Sequence, residues 1–202
     1  MKKKYSLLAK NIGLFTIGSF GSKIISFLMV PLYTAVLTTS DYGTVDLLQS
    51  TAQLLMPILL FSIQDATLRF GMDPDYEKED VLSTTFKIIG QGTIVLLLGL
   101  FFFRIMGIVN LSLPYLIFLF FSFELGALNN CINLYLKAKN RASVIAVSGI
   151  ICVFITCLSN ILLLVVFKWN IIGYMISNTI GLLTQVLYQI LVGKIYKDLH
   201  VN

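Results

Sequence analysis

The sequence predicts an all-α integral membrane protein, built as a bundle of six transmembrane helices. Of its 202 residues, 57% are hydrophobic and only 12% are charged, and the mean hydropathy is +0.87. A soluble domain carries about 25% charged residues, so this composition is typical of a chain surrounded by lipid. The apolar residues also fall into long runs, and about 20 such residues in a helix cross a hydrocarbon core of about 30 Å.

Polar and basic residues divide these runs into six predicted spans with short connections. The spans are about 11–37, 42–70, 81–103, 113–136, 143–167 and 171–195. Short connections are expected between antiparallel neighbours in a bundle. The connection at residues 71–80 is acidic. We therefore expect one membrane domain over residues 1–202.

The distribution of lysine and arginine predicts the orientation of this bundle. With the N-terminus inside, twelve of the 15 basic residues fall on the cytoplasmic face, and only Arg104 and Lys168 fall outside. Lys23 is the remaining one and lies within the membrane. Because cytoplasmic loops carry an excess of basic residues, both termini are predicted to be cytoplasmic.

Lys23 lies near the middle of the first span. An ammonium group there costs roughly 2.5 kcal/mol or more unless it meets water, a counter-charge or a ligand. Lys23 shares a helical face with Ser19 and Ser26. One interpretation is a buried pair of Lys23 with Glu124 or Asp46 that only fixes packing. The other is a cation that faces a cavity and accepts an anionic headgroup, and we favour it because buried pairs are weak stabilisers.

The second span carries a stripe of mostly polar residues. Steps of three and four place the members of this stripe on one face of a helix: Asp46, Gln49, Gln53, Pro57, Leu60 and Gln64. Lipid would reject such a face, so we expect it to meet protein or a wet cavity. Glutamines also form hydrogen bonds between spans. The depth of the stripe and its carboxylate favour the cavity.

Three further patterns keep two interpretations each. Asp65 and Arg69 have the spacing of a local ion pair, which would serve either structure or function. In the fourth span either Glu124 or the opposite face could line a cavity; that face comprises Ser122, Gly126, Asn129, Asn130 and Asn133. Small residues in the last two spans predict packing faces rather than sites. These are Gly149, Cys152, Thr156 and Asn160, and then Gly173, Ser177, Gly181 and Thr184.

The sequence gives no indication of an enzyme. It contains no nucleophile–base pair and no phosphate-binding glycine loop. One histidine, His200, and three cysteines inside apolar runs do not make a zinc site. The basic residues fall at span ends rather than along one stripe, which argues against a nucleic-acid partner. We expect no catalytic residue, no cofactor and no metal.

Residues 9–48 resemble the start of a known family. The elements Val30-Pro-Leu-Tyr33 and Asp41-Tyr-Gly43 are similar to those of bacterial polysaccharide flippases. These are the O-antigen and capsule repeat-unit transporters of the multidrug/oligosaccharidyl-lipid/polysaccharide (MOP) exporter superfamily. Further similar segments are Leu68-Arg-Phe70, Tyr135-Leu-Lys-Ala-Lys-Asn-Arg141 and Trp169-Asn-Ile-Ile-Gly173.

The resemblance implies a transporter of the bacterial cytoplasmic (inner) membrane. It would flip undecaprenyl-pyrophosphate-linked oligosaccharide repeat units to the outer leaflet for surface polysaccharide synthesis. Such flippases have two helical lobes, and this chain resembles the N-terminal lobe only. The expected partners are the lipid-linked oligosaccharide, membrane lipids, and either the missing C-terminal lobe or a second copy. The alternatives are a cation-coupled multidrug exporter of the same superfamily, or a non-transporting membrane module that assembles with a partner.

Individual roles follow from this expectation. A substrate pathway is expected at Lys23, Asp46, Gln49, Gln53, Gln64 and Arg69. Lys23, helped by Arg69, would attract the pyrophosphate, and the stripe of the second span would hydrogen-bond sugar hydroxyls. Ion coupling through a change of charge is expected at Glu124, Asp46 or Asp65.

Overall fold

The computed structural model describes residues 23–24, 27–107 and 111–199, and the regular elements of this part of the chain are all helices. The α-helices are α1 (Phe27–Val36), α2 (Thr39–Leu59), α3 (Ile63–Met72), α4 (Lys78–Ile105), α5 (Leu113–Ala138), α6 (Ala142–Asn160) and α7 (Asn170–Val192). A π-helical turn, Ile161–Val166, continues α6, and a 3-10 turn, Ile195–Lys197, follows α7. The predicted all-α fold is confirmed.

The long helices coincide with the predicted spans. Four of them are long and apolar enough to cross a membrane: α4, α5, α6 with its π-helical turn, and α7. Their ends lie within a few residues of the predicted ones. Of the first predicted span, residues 11–22 and 25–26 lie outside the described residues, and with them Ser19 and Ser26.

The second predicted span is not one helix, which corrects the expectation of a continuous helix over residues 42–70. α2 and α3 are separated by three residues, bend by 58° and together are long and apolar enough to form one broken span. Phe61 and Ser62, between them, have φ of 49° and 52°, in the left-handed region that costs an L-residue roughly 1–2 kcal/mol. One turn before this break, Pro57 has no backbone N–H and cannot donate the usual helical hydrogen bond.

α5 is the central helix of the bundle. It packs against α2, α3, α4, α6 and α7. Phe123, Ala127 and Cys131 of α5 are fully buried, as expected for a helix that is apolar on most of its circumference. α4, in contrast, exposes many large apolar side chains, among them Leu98 and Phe102. We interpret that face of α4 as the one that meets lipid.

α6 and α7 pack closely because glycines lie at their contact. A Cβ atom at Gly181 would overlap Thr156 Oγ1, and one at Gly173 would lie 3.1 Å from Leu163 Cβ. Small residues let helix backbones approach closely in membranes. The small-residue face expected on the sixth span is thus a packing face at these two glycines.

Polar contacts join three helix ends at one end of the bundle. Lys139, just after α5, places Nζ 2.6 Å from Asp198 Oδ2 and 3.9 Å from Glu79 Oε1 in the first turn of α4. Arg141 Nη1 donates to the backbone oxygen of Gly193, 2.7 Å away, at the end of α7. The start of α4 and the ends of α5 and α7 are therefore held together.

Candidate functional site

A large cavity lies between α1, α2, α3, α5, α6 and α7. Its volume is about 660 Å³, and we call it the wide cavity. Its polar lining consists of Gln49, Gln53, Gln64, Ser122, Asn129, Asn130, Thr156, Asn178 and Thr179. The other lining residues are apolar, cysteine or glycine, together with Tyr33. All the described side chains that line it are therefore uncharged.

The polar stripe of the second span supplies one wall. Gln49 and Gln53 lie one turn apart on α2, and the bend before α3 brings Gln64 to the same cavity. Leu60 is instead buried in the core, and Asp46 is exposed one turn before Gln49, outside the lining. Three of the six predicted pathway residues thus share the wide cavity.

The fourth span presents its amide-rich face to this cavity, which resolves the alternatives left open by the sequence. Ser122, Asn129 and Asn130 of α5 line the wide cavity. Glu124 points the other way, towards α4, where Thr93 Oγ1 lies 2.5 Å from its Oε2. Within the described residues, no ion pair joins Lys23 to Glu124 or to Asp46.

Lys23 and Arg69 are both exposed and lie outside the lining of the wide cavity. The guanidinium of Arg69 lies 5.8 Å from the centre of the Phe70 ring. The described ion pairs do not include one between Arg69 and Asp65. The roles predicted for these charges stay predictions.

A second space continues the wide cavity. It has a volume of about 340 Å³, and we call it the narrow cavity. Gln64 and Asn130 line both spaces, so their polar walls are continuous. The narrow cavity adds two charged residues, Asp65 and Lys137, together with Asn133. The sequence indicates Lys137 as a basic residue at a span end and as part of the similar segment Tyr135–Arg141, but not as a site residue.

Helices α6 and α7 complete the wide cavity with residues that the sequence did not single out as a site. Cys152 and Thr156 of α6 belong to a face expected to serve packing, yet they also line the cavity. Asn178 and Thr179 of α7 lie beside the small-residue face of the sixth span. Asn178 and Thr179 follow Ser177 directly and both donate to the backbone of their own helix, so no spacing rule marks them as lining residues.

Three tyrosines meet where α1, α2 and α7 come together. The ring centroid of Tyr33 lies 4.8 Å from that of Tyr174 and 6.3 Å from that of Tyr42. Asn160 Nδ2 donates to the Tyr33 hydroxyl at 2.9 Å. Tyr33 and Tyr42 belong to the two sequence elements that carry the family resemblance, so these elements are neighbours in the fold. Tyr33 also lines the wide cavity.

A buried glutamine holds part of the lining in place. Gln189 Nε2 of α7 lies 3.1 Å from both Asn129 Oδ1 and Asn133 Oδ1, and 2.9 Å from Ser148 Oγ. Asn129 lines the wide cavity and Asn133 the narrow one. Gln189 thus connects three helices behind the polar walls.

The chemistry of the wide cavity is that of neutral hydrogen bonding. Amide side chains offer both donors and acceptors, as polyhydroxylated ligands require. No group of three or more histidine, cysteine, aspartate or glutamate side chains that could hold a metal ion is found within the described ranges. The lining of the wide cavity therefore suits a neutral, hydroxyl-rich group.

Comparison with known proteins identifies a family. Residues 8–202 match the family described as polysaccharide biosynthesis protein. Comparison with curated proteins and with solved structures finds no significant match. The matched family covers nearly the whole chain, and we conclude that the chain belongs to the polysaccharide biosynthesis protein family.

Proposed function

We propose that this protein takes part in moving lipid-linked oligosaccharide across the bacterial cytoplasmic membrane for surface polysaccharide synthesis. The observation that carries the proposal is the wide cavity, a space of about 660 Å³ with uncharged amide and hydroxyl walls inside an apolar helical bundle. The family assignment supports a role in polysaccharide biosynthesis. The cargo is proposed to be a sugar repeat unit on undecaprenyl pyrophosphate.

The amide walls favour sugar hydroxyls over lipid. A buried donor or acceptor that finds no partner costs about 1–3 kcal/mol. Beside a hydrocarbon chain, Gln49, Gln53 and Asn130 would each lose hydrogen bonds to water without replacing them. Beside a sugar, hydroxyl groups would replace those hydrogen bonds. A cationic drug, the cargo of the alternative exporter, would find no carboxylate among the described lining residues.

The charged residues receive proposed roles around this cavity. Lys23 and Arg69 would attract the pyrophosphate, while Asp46 and Asp65 would contribute polar contacts or a change of charge.

Glu124 would carry a coupling proton, and Thr93 supports this role. The Thr93 hydroxyl lies 2.5 Å from Glu124 Oε2 and 2.9 Å from the backbone oxygen of Ile89. A hydroxyl has one proton, so a protonated Glu124 would let both contacts be hydrogen bonds.

The proposed orientation places both termini in the cytoplasm, as the excess of basic residues predicts. In this orientation Lys139 and its partners lie on the cytoplasmic side. We further propose that the described helices form one wall of the translocation pathway. A second lobe or a second copy of the chain would supply the opposite wall.

The function can be tested in vesicles that contain the chain and a fluorescent undecaprenyl-pyrophosphate-linked oligosaccharide. A membrane-impermeant quencher then measures transfer between leaflets. We expect transfer to exceed that in protein-free vesicles. Replacing both Gln49 and Gln53 with leucine should lower it roughly thirtyfold, since two hydrogen bonds of about 1 kcal/mol each are lost.

Gln91→Leu is the matched control, because Gln91 is exposed on α4 and lies outside both cavities. It should leave transfer unchanged. In the same vesicles, Lys23→Ala should slow transfer, and Glu124→Gln should remove its response to a pH gradient. The proposal is wrong if transfer never exceeds that of protein-free vesicles and the lipid-linked oligosaccharide shows no saturable binding to the purified chain.

A further inference from the structure

An apolar groove runs between α5 and α7, next to the wide cavity. Its volume is about 310 Å³. Ile117 of α5 and Ile172, Ile176 and Ile180 of α7 are among its walls, and Thr179 is the one polar residue of its described lining. The walls of this groove are apolar, whereas the walls of the wide cavity beside it are rich in amide side chains.

The groove and the wide cavity share a wall. Phe118, Phe121 and Thr179 line both spaces. Phe118 is only 3% exposed, whereas Phe121 is 42% exposed. One layer of side chains therefore lies between a large polar space and a narrower apolar one.

We propose that the groove binds the polyprenyl chain of the same lipid whose oligosaccharide occupies the wide cavity. This inference rests on the proposed function and adds a binding site for the second half of the cargo. In a lipid-linked oligosaccharide a short pyrophosphate bridge joins the hydroxyl-rich head to the apolar chain, so the two parts must bind at neighbouring places. The shared wall of Phe118, Phe121 and Thr179 provides that adjacency.

The energetics favour this placement of the chain. The prenyl chain starts in the hydrocarbon of the bilayer, which is as apolar as the walls of the groove, so it enters the groove without a loss of apolar surroundings. Beside the glutamines and asparagines of the wide cavity it would displace water from polar groups that then find no partner. The polyprenyl chain therefore extends from the oligosaccharide head into the apolar groove between α5 and α7. An ordinary phospholipid has no oligosaccharide to occupy the adjoining cavity.

Photo-crosslinking of the full chain in phospholipid vesicles tests the inference. A benzophenone amino acid is placed singly at position 176 in the groove, 153 in the wide cavity, or 183 on α7. Leu183 is 44% exposed and outside the groove, so position 183 reports ordinary contact with lipid. The probe is an undecaprenyl-pyrophosphate-linked oligosaccharide with a radiolabelled prenyl chain. We expect positions 176 and 153 to capture it several-fold more than position 183.

The outcomes separate the two proposals. Capture at position 153 but not at 176 above the level of 183 overturns the groove and leaves the proposed function standing. No capture above that level at either position overturns both. If position 176 captures bulk phospholipid as efficiently as the probe, the groove is an ordinary lipid site and the inference is wrong.

A pair of bulky variants gives a second measurement. Ile176→Trp narrows the groove, while Leu183→Trp adds the same side chain to α7 outside it. We expect Ile176→Trp to weaken binding of the undecaprenyl-linked oligosaccharide several-fold and to leave binding of the same oligosaccharide pyrophosphate without its prenyl chain unchanged. Equal weakening of both ligands, or equal effects of the two variants, would contradict a prenyl-binding groove.

Discussion

One buried amide side chain, that of Gln189, holds part of the polar walls of the wide and narrow cavities in place. Gln189 offers two N–H groups, yet three oxygens lie within 3.1 Å of its Nε2, on Asn129, Asn133 and Ser148. Asn133 Nδ2 also lies 3.2 Å from Asn129 Oδ1. The four side chains therefore share their protons as one network. Asn129 and Asn133 keep fixed positions in the two cavities because α7 holds them from behind.

Replacing Gln189 with leucine should lower the free energy of unfolding by about 1–2 kcal/mol, because the oxygens of Asn129, Asn133 and Ser148 lose their shared donor. Gln185→Leu is the control, one turn earlier on α7, where no side-chain hydrogen bond is found within the described part of the chain. Denaturant unfolding in detergent measures both variants. Equal effects of the two substitutions would mean that the network does not stabilise the fold.

At the scale of helices, two features shape the bundle. One is the bend between α2 and α3, and the other is the close approach of α6 to α7. The bend carries the glutamine stripe around a corner, so that Gln64 reaches the cavity lined by Gln49 and Gln53. The close approach depends on Gly181, which leaves room for Thr156. Both features bring residues to the wall of the wide cavity. The bend brings Gln64 there, and the close approach of α6 to α7 brings Thr156.

Gly181→Ala should destabilise the bundle by about 1–3 kcal/mol, since the new methyl group must displace Thr156 or separate α6 from α7. Gly149→Ala on α6 is the matched control, because a Cβ there has no neighbour within 4 Å. That substitution should be neutral or stabilising by up to about 1 kcal/mol, as alanine favours helix more than glycine does. The melting temperature of the detergent-purified variants checks both. A Gly181 variant as stable as the Gly149 variant would contradict the close approach.

Both the spans and the glutamine wall follow from local sequence patterns, the spans from long apolar runs and the wall from the helical repeat. Gln49 and Gln53 follow the helical repeat, and a repeat of this kind is visible without coordinates. The break at Phe61 and Ser62 could not be predicted, since neither residue is a usual left-handed residue and the stripe continues in phase beyond it. Lys137 was missed for a different reason. Its place in the narrow cavity follows from the packing of α5 against α3, which no local pattern encodes.

On the scale of the whole molecule, the chain is held together at one end by charge and along its length by apolar packing. Lys139 contacts both Asp198 and Glu79, residues that lie far apart in sequence. Its Nζ also lies 5.0 Å from the centre of the Tyr135 ring. This contact fixes the segment after α7 against the start of α4, and so joins the last described part of the chain to the middle of the fold.

Lys139→Met should release the segment 195–199. We expect its amides to exchange with deuterium roughly threefold to tenfold faster, as an ion pair worth about 1 kcal/mol is lost. Lys194→Met is the control, since Lys194 is exposed and makes no ion pair among the described residues. Hydrogen–deuterium exchange with mass spectrometry resolves the segment. Unchanged exchange in the Lys139 variant would show that apolar contacts, not the ion pair, hold it.

The neutrality of the wide cavity has an electrical consequence. Moving one elementary charge across a membrane is worth about 2.3 kcal/mol for every 100 mV. The described side chains around the wide cavity carry no formal charge, and Asp65 and Lys137 in the narrow cavity are of opposite sign. Movement of these walls would therefore transfer almost no net charge through the field. Under the proposed function the membrane voltage would act instead on the cargo, because a negative cytoplasm favours the exit of an anionic headgroup.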